Sequence, residues 1–258
     1  MPALPILAFL TLAAFLAGFI DAAVGGGGLV QIPALLLGFP GVPVTSLLGT
    51  NKLASFTGTT LATAQYVRSR ALPWREMAGP ALASALGSAG GVALTYLFER
   101  RFEAYFRPAI VVLMIVMLAF TLWRPELGRN HTPRFALRHQ RGLAIAIAAV
   151  MGLYDGFFGP GVGTLLIFLF VTILGFDFLR ASALAKAVNW ASNAAAVVIF
   201  VWRGSWLPWA ALLMAVANGV GGHLGARTAL VKGNRWLRLV FIVVVSLLIL
   251  RLGSQGLG

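Results

Sequence analysis

The chain carries one pattern twice, in the same order. Gly18-Phe19-Ile20-Asp21-Ala22-Ala23-Val24-Gly25-Gly26-Gly27-Gly28 returns as Gly152-Leu153-Tyr154-Asp155-Gly156-Phe157-Phe158-Gly159-Pro160-Gly161-Val162. A lysine follows each copy inside an apolar segment, Lys52 in the first half and Lys186 in the second. Leu72-Pro73-Trp74 then matches Leu207-Pro208-Trp209, and Gly90-Gly91 matches Gly221-Gly222. Similarity that keeps its order across both halves means duplication. Duplicated apolar halves, broken by glycine at corresponding places, are a mark of membrane transporters.

Composition points the same way. The chain is 59% hydrophobic and 10% charged, with mean hydropathy +0.89, where a soluble domain carries about a quarter charged residues. Apolar segments fall at about 4–22, 28–38, 45–67, 77–98 and 104–123, then at 142–157, 162–175, 182–202, 206–226 and 236–250. The second of each set is too short for the roughly 30 Å of bilayer hydrocarbon. The expected fold is an all-α polytopic membrane protein of two homologous repeats, about 4–123 and 142–252, joined by the basic loop 124–141. Each repeat should hold four long transmembrane helices and one short broken or re-entrant helix. The N-terminal segment lacks a basic leader and reads as retained in the membrane.

The net charge of +13 sits mostly in short links between apolar runs, the pattern of cytoplasmic loops rather than of a nucleic-acid site. An inverted arrangement with the N-terminus outside puts Arg68, Arg70, Arg75, Arg124, Arg129, Arg134, Arg138, Arg141, Arg180, Arg227, Lys232, Arg235 and Arg238 inside. It leaves Arg100, Arg101, Arg107, Arg203 and Arg251 outside, 13 against 5. A parallel arrangement of eight spans gives 10 against 8. The excess of cytoplasmic cations therefore favours inversion. With no cysteine, disulfides and thiol chemistry are excluded.

The glycine clusters Gly25 to Gly28 and Gly159 to Gly163 should interrupt their helices. The amides that open the following short helix would then be free to hold an anion, notably at Gly26, Gly27, Gly28, Gly161 and Gly163. Close helix packing is the alternative for each cluster. Lys52 lies roughly 10 Å inside its helix, and Lys186 is similarly deep. A lysine at that depth faces a cavity or a partner, unless it snorkels to the interface. Asn51, Ser55 and Asn189 stand beside or one turn from the lysines and offer hydrogen bonds to substrate or to other helices. Gln31 lies at the start of the first short helix. Asp21 and Asp155 are the acids within the apolar segments, read as proton carriers, as partners of the lysines or as caps. His223 reads as a packed, hydrogen-bonded side chain. Gly87-x-x-x-Gly91 and Gly221-x-x-x-Gly225 read as close-packing patterns. There is no nucleotide loop, acid pair, metal cluster or serine triad, so no enzyme, metal or cofactor is expected.

Phe19 to Gly28, then Gln31-Ile32-Pro33 and Gly49-Thr50-Asn51-Lys52, resemble the TauE/SafE family, bacterial and archaeal membrane proteins also called sulfite exporters. Gly159 to Gly163 and Ala185-Lys186-Ala187 are similar to that family's second repeat. The second repeat departs from the first in having Ala185 where Asn51 stands. The resemblance implies a multi-pass inner-membrane protein that moves sulfite, sulfoacetate or other organosulfonates, mostly outward. The expected partners are a small organic or inorganic sulfur anion and membrane lipid, with a homodimer left open. The competing readings are a passive anion channel and a carrier of another oxyanion or carboxylate.

Overall fold

A computed structural model describes residues 4–69, 73–123 and 136–232. The expected segment 236–250 and most of the loop 124–141 lie outside the described residues, as do Leu72 and several of the counted arginines. The described residues are overwhelmingly helical: α1 (Leu4–Val24), α2 (Gly28–Gly38), α3 (Val44–Arg68), α4 (Trp74–Trp123), α5 (Leu137–Phe157), α6 (Val162–Thr172), α7 (Phe178–Trp202) and α8 (Pro208–Lys232). Among them, Leu4–Ala23, Trp74–Phe102 and Phe178–Trp202 are long and apolar enough to cross a membrane.

Local chemistry sets the boundaries. Gly25 and Gly26 take positive φ values of 79° and 87° and stop α1. Gly159 and Gly161 do the same between α5 and α6. Proline opens α8 at its first position, where no amide hydrogen bond is lost. Asp177 caps α7 by accepting from the Arg180 amide at 2.9 Å. The start of α3 is capped from another helix, since Glu99 accepts from the Thr45 amide at 2.9 Å. The sequence segments 77–98 and 104–123 form one helical stretch, α4, broken at Phe102 by φ −139° and ψ 39°.

The halves exchange partners. α1 packs chiefly on α8, and α4 on α5. Gly221 lies against Phe15 and Phe19, and Gly225 against Phe19, so α1 and α8 advance together. Gly152 and Gly156 lie against Ser84 and Ser88, while Gly87 and Gly91 lie against Ala149 and Leu153. The spaced glycines thus bring backbones into contact, as expected for close-packing patterns. Each short helix folds back on its predecessor. Gly38 at the end of α2 meets Ile6 and Leu10, and Gln140 near the start of α5 donates to the carbonyl of Leu174 just past α6.

The interior is polar and the exterior apolar, the reverse of a soluble bundle. Lys52, Lys186, Asn51, Asn189, Asn193 and Asp155 are buried, whereas Leu82, Leu86, Val116, Val150, Val198 and Val216 are exposed. In a bilayer the apolar exterior meets lipid at no hydration cost, and the interior polar groups find one another.

Candidate functional site

The two glycine breaks touch. Gly25 lies against the backbone of Gly163 and Thr164, and Gly28 faces the Cα of Pro160. A side chain on Gly25 would drive these turns apart. Two tyrosines secure them: Tyr66 donates to the Ala22 carbonyl at 3.0 Å, and Tyr154 to the Pro160 carbonyl at 2.6 Å. Each hydroxyl satisfies a carbonyl freed by a helix interruption.

Around this contact the lysines and aspartates pair across the halves. Lys52 Nζ is 2.7 Å from Asp155 Oδ1, and Lys186 Nζ is 2.7 Å from Asp21 Oδ2. Lys52 and Lys186 are 2% and 0% exposed as side chains, so neither snorkels to an interface. Of the roles weighed for the aspartates, both serve as partners of the lysines, and Asp21 also caps a backbone amide. Asp21 Oδ1 also accepts from the Gly27 amide at 3.0 Å, and Asp155 Oδ2 from the Ser192 hydroxyl. The environments differ: the Asp21 side chain is 15% exposed and that of Asp155 3%.

A small cavity lies between the pairs. Its walls are the glycine turns (Gly26, Gly27, Gly28, Gly159, Gly161, Gly163), then Asn51, Lys52 and Ser55 from α3, Asn189 and Asn193 from α7, and both aspartates. It has room for about one water molecule. Most of the sequence-derived site residues therefore come together. Lys186 and Gln31 do not line the cavity. Lys186 stands behind Asp21. Gln31 is wholly buried, and its Oε1 accepts from Asn218 at 2.9 Å, which turns it toward α8.

The amides divide into two groups. Those of Gly27, Leu29 and Val162 bond to Asp21, Gly26 and Gly159. Those of Gly26, Gly28, Gly161 and Gly163 have no acceptor among the described residues. Asn51 Oδ1 is likewise buried without a partner. The glycines also make room for charge. A Cβ on Gly159 would stand 3.1 Å from Asp155 Oδ1 and 3.3 Å from Lys52 Nζ, and one on Gly27 would meet Asp21 Cβ at 2.7 Å.

Ser192 and Asn193 belong to the polar run that follows Lys186 in the sequence, and Asn193 does line the cavity. That run does not reveal that Ser192 meets Asp155, and nothing local marks Asn218 as the holder of Gln31. His223 is hydrogen-bonded to Gln65 Nε2, 3.0 Å from its Nδ1, matching its reading as a packed side chain. A second hollow, lined by Tyr96, Glu99, Arg100 and Arg203, opens where α3 begins.

Comparison with known proteins places these features in a family. The model described as "Sulfite exporter TauE/SafE" matches residues 10–252. The chain is 35% identical to the probable membrane transporter protein ORF9 of a Sinorhizobium species, over 96% of this chain and 92% of that one. It is 34% identical to a probable membrane transporter protein of Haemophilus influenzae, over 93% and 91% of the two chains. It is 31% identical to the probable membrane transporter protein YfcA of Escherichia coli K12, over 94% and 88%. No solved structure matches it.

Proposed function

We infer that this chain, which belongs to the sulfite exporter TauE/SafE family of membrane transporters, is a secondary carrier of small sulfur-containing anions, exporting sulfite or an organosulfonate across the inner membrane. The observation that carries the reading is the Lys52–Asp155 pair, set beside the amides of Gly26, Gly28, Gly161 and Gly163, which have no acceptor among the described residues. Lys52 supplies charge, and the amides of Gly26, Gly28, Gly161 and Gly163 supply donors that a compact oxyanion can satisfy together. Asn51, Ser55 and Asn189 add side-chain contacts, while Lys186 sets the field of Asp21 from behind.

The same reading makes residues 4–123 and 142–252 inverted repeats that cross the membrane many times. Supporting it, α1 advances with α8 and α4 with α5, although only a short link separates the antiparallel α3 and α4. The end of the bundle where α3 begins and α7 ends holds Arg100, Arg101 and Arg203. The other end holds Arg68, Arg75, Arg138, Arg141, Arg180 and Arg227. The richer end is cytoplasmic by the distribution of basic loops.

The test is flux in liposomes reconstituted with the purified chain, using sulfite, sulfoacetate, isethionate, thiosulfate and a carboxylate of similar size. Saturable, mutually competitive flux of the sulfur anions supports the carrier. Flux that does not saturate indicates a channel, and carboxylate preference sinks the sulfur-anion assignment.

A further inference from the structure

Two lysine–aspartate pairs stand at the cavity, Lys52 with Asp155 and Lys186, behind the lining, with Asp21, and as ion pairs their charges sum to zero. Neighbouring elements do not change that sum. α2 and α6 contain no titratable residue. α4 meets α5 with Ser84, Gly87, Ser88, Gly91 and Thr95. Tyr66 and Tyr154 are committed to carbonyls, and His223 of α8 is engaged by Gln65. An anion added here would leave an unbalanced negative charge among largely buried side chains. That costs several kcal/mol in a low-dielectric interior.

We propose that the protein takes up one proton with each monovalent anion it binds, and that the proton goes to Asp155. The proposal rests on the anion-carrier reading above. In the bound state the anion replaces Asp155 as the partner of Lys52. The ion pair breaks, a proton from solution forms an O–H bond at Asp155 Oδ2, and no electrons move. Lys52, Lys186, Asp21 and the anion then sum to zero again.

Ser192 makes Asp155 the fitting acceptor. Its hydroxyl has a second acceptor, the Asn189 carbonyl, at 3.0 Å. When Asp155 is ionised, Ser192 donates to it. When Asp155 is protonated, the hydroxyl rotates to Asn189 and accepts the new carboxyl hydrogen. No buried donor is stranded in either state. Asp21 lacks this freedom. Its oxygens face the Gly27 amide and Lys186, donors that cannot reverse. Lys186 is buried and outside the cavity lining, so protonating Asp21 would strand a charge that no bound anion reaches.

The probe is isethionate, whose sulfonate keeps one charge at every working pH. Binding to the full-length protein in weakly buffered detergent should remove about one proton per anion from solution. Affinity should fall as pH rises, by up to about tenfold per unit for one proton taken up with the anion. Asp155→Asn should bind isethionate without proton uptake and with affinity independent of pH. In liposomes, a pH gradient with the potential clamped should drive accumulation, and a potential alone should not. Binding without proton uptake by the parent protein overturns the proposal and leaves the carrier reading standing, whether or not the variant folds. If neither isethionate nor sulfoacetate binds or moves, the carrier reading itself fails, and the proposal falls with it.

Discussion

Lys186 reaches across 165 sequence positions to place its ammonium 2.7 Å from Asp21 Oδ2. Lys52 reaches Asp155 at the same distance in the reciprocal sense. Each buried lysine is paired with the aspartate of the other half. Each pair therefore ties the halves together, and each would be costly to leave half-made.

That cost is measurable. Lys52→Met strands Asp155, and Asp155→Asn strands Lys52. Each single change should destabilise by about 3–5 kcal/mol, and the double variant should recover most of the loss. Thermal unfolding in detergent would show it. Isethionate should stabilise Asp155→Asn more than the parent, because the anion supplies the missing partner of Lys52. The double variant should fold and bind no anion. Additive losses in the double variant would mean that the pair contributes little to holding the halves together.

Substitutions in the glycine turns should separate by position. Gly27→Val pushes on Asp21 Cβ and the Ala17 carbonyl, while a Cβ on Gly38 finds ordinary contacts with Ile6 and Leu10 at 3.5–3.6 Å. Gly38→Ala should leave flux near the parent level and cost at most about 1 kcal/mol. Gly27→Val and Gly159→Ala should cut flux at least about tenfold at matched expression, a barrier change of roughly 1.4 kcal/mol or more. If Gly38→Ala lowers flux as much as Gly159→Ala, the turns serve folding rather than the ion pairs.

Much of this was legible in the sequence because it follows from depth and period. The bounds of α2, the breaks at Gly25 and Gly159, and the burial of Lys52 and Lys186 come from local hydropathy and backbone freedom. Pairing is not local. The sequence showed Asp21 and Asp155 at matching places, but not that each meets the lysine of the other half. That depends on α1 seating against α8 and α4 against α5, which glycine spacing permits without naming the partner. Gln31 illustrates the limit. Its position suited an anion site, yet Asn218, 187 residues away, holds it elsewhere.

Packing between exchanged helices gives a third expectation. A Cβ on Gly87 would collide with the Ala149 carbonyl, whereas one on Gly90 would meet only the Leu153 Cδ1 at 3.5 Å. Gly87→Leu should destabilise by several kcal/mol through overpacking against backbone, and Gly90→Ala by less than about 1 kcal/mol. Chemical denaturation of the two variants distinguishes them. Equal losses would mean that α4 and α5 separate easily.

The orientation of the halves can be tested cleanly because the chain contains no cysteine. Single cysteines at Gly41, Ser69, Ala136 and Arg203 all fall at exposed positions. Gly41 and Ser69 bracket α3, and Arg203 follows α7. With inverted repeats, a membrane-impermeant maleimide applied to intact cells should label Gly41→Cys and Arg203→Cys. Ser69→Cys and Ala136→Cys should react only in inside-out vesicles. Arg203 is the discriminating site. Inversion puts the end of α7 on the same side as the start of α3, where the Leu207 amide reaches the Thr50 hydroxyl at 2.9 Å. A parallel arrangement puts Arg203 with Ser69 instead. Labelling of Arg203→Cys from the cytoplasmic side alone would remove the inverted arrangement. The reciprocal lysine–aspartate pairs would then need an explanation other than a twofold relation in the membrane plane.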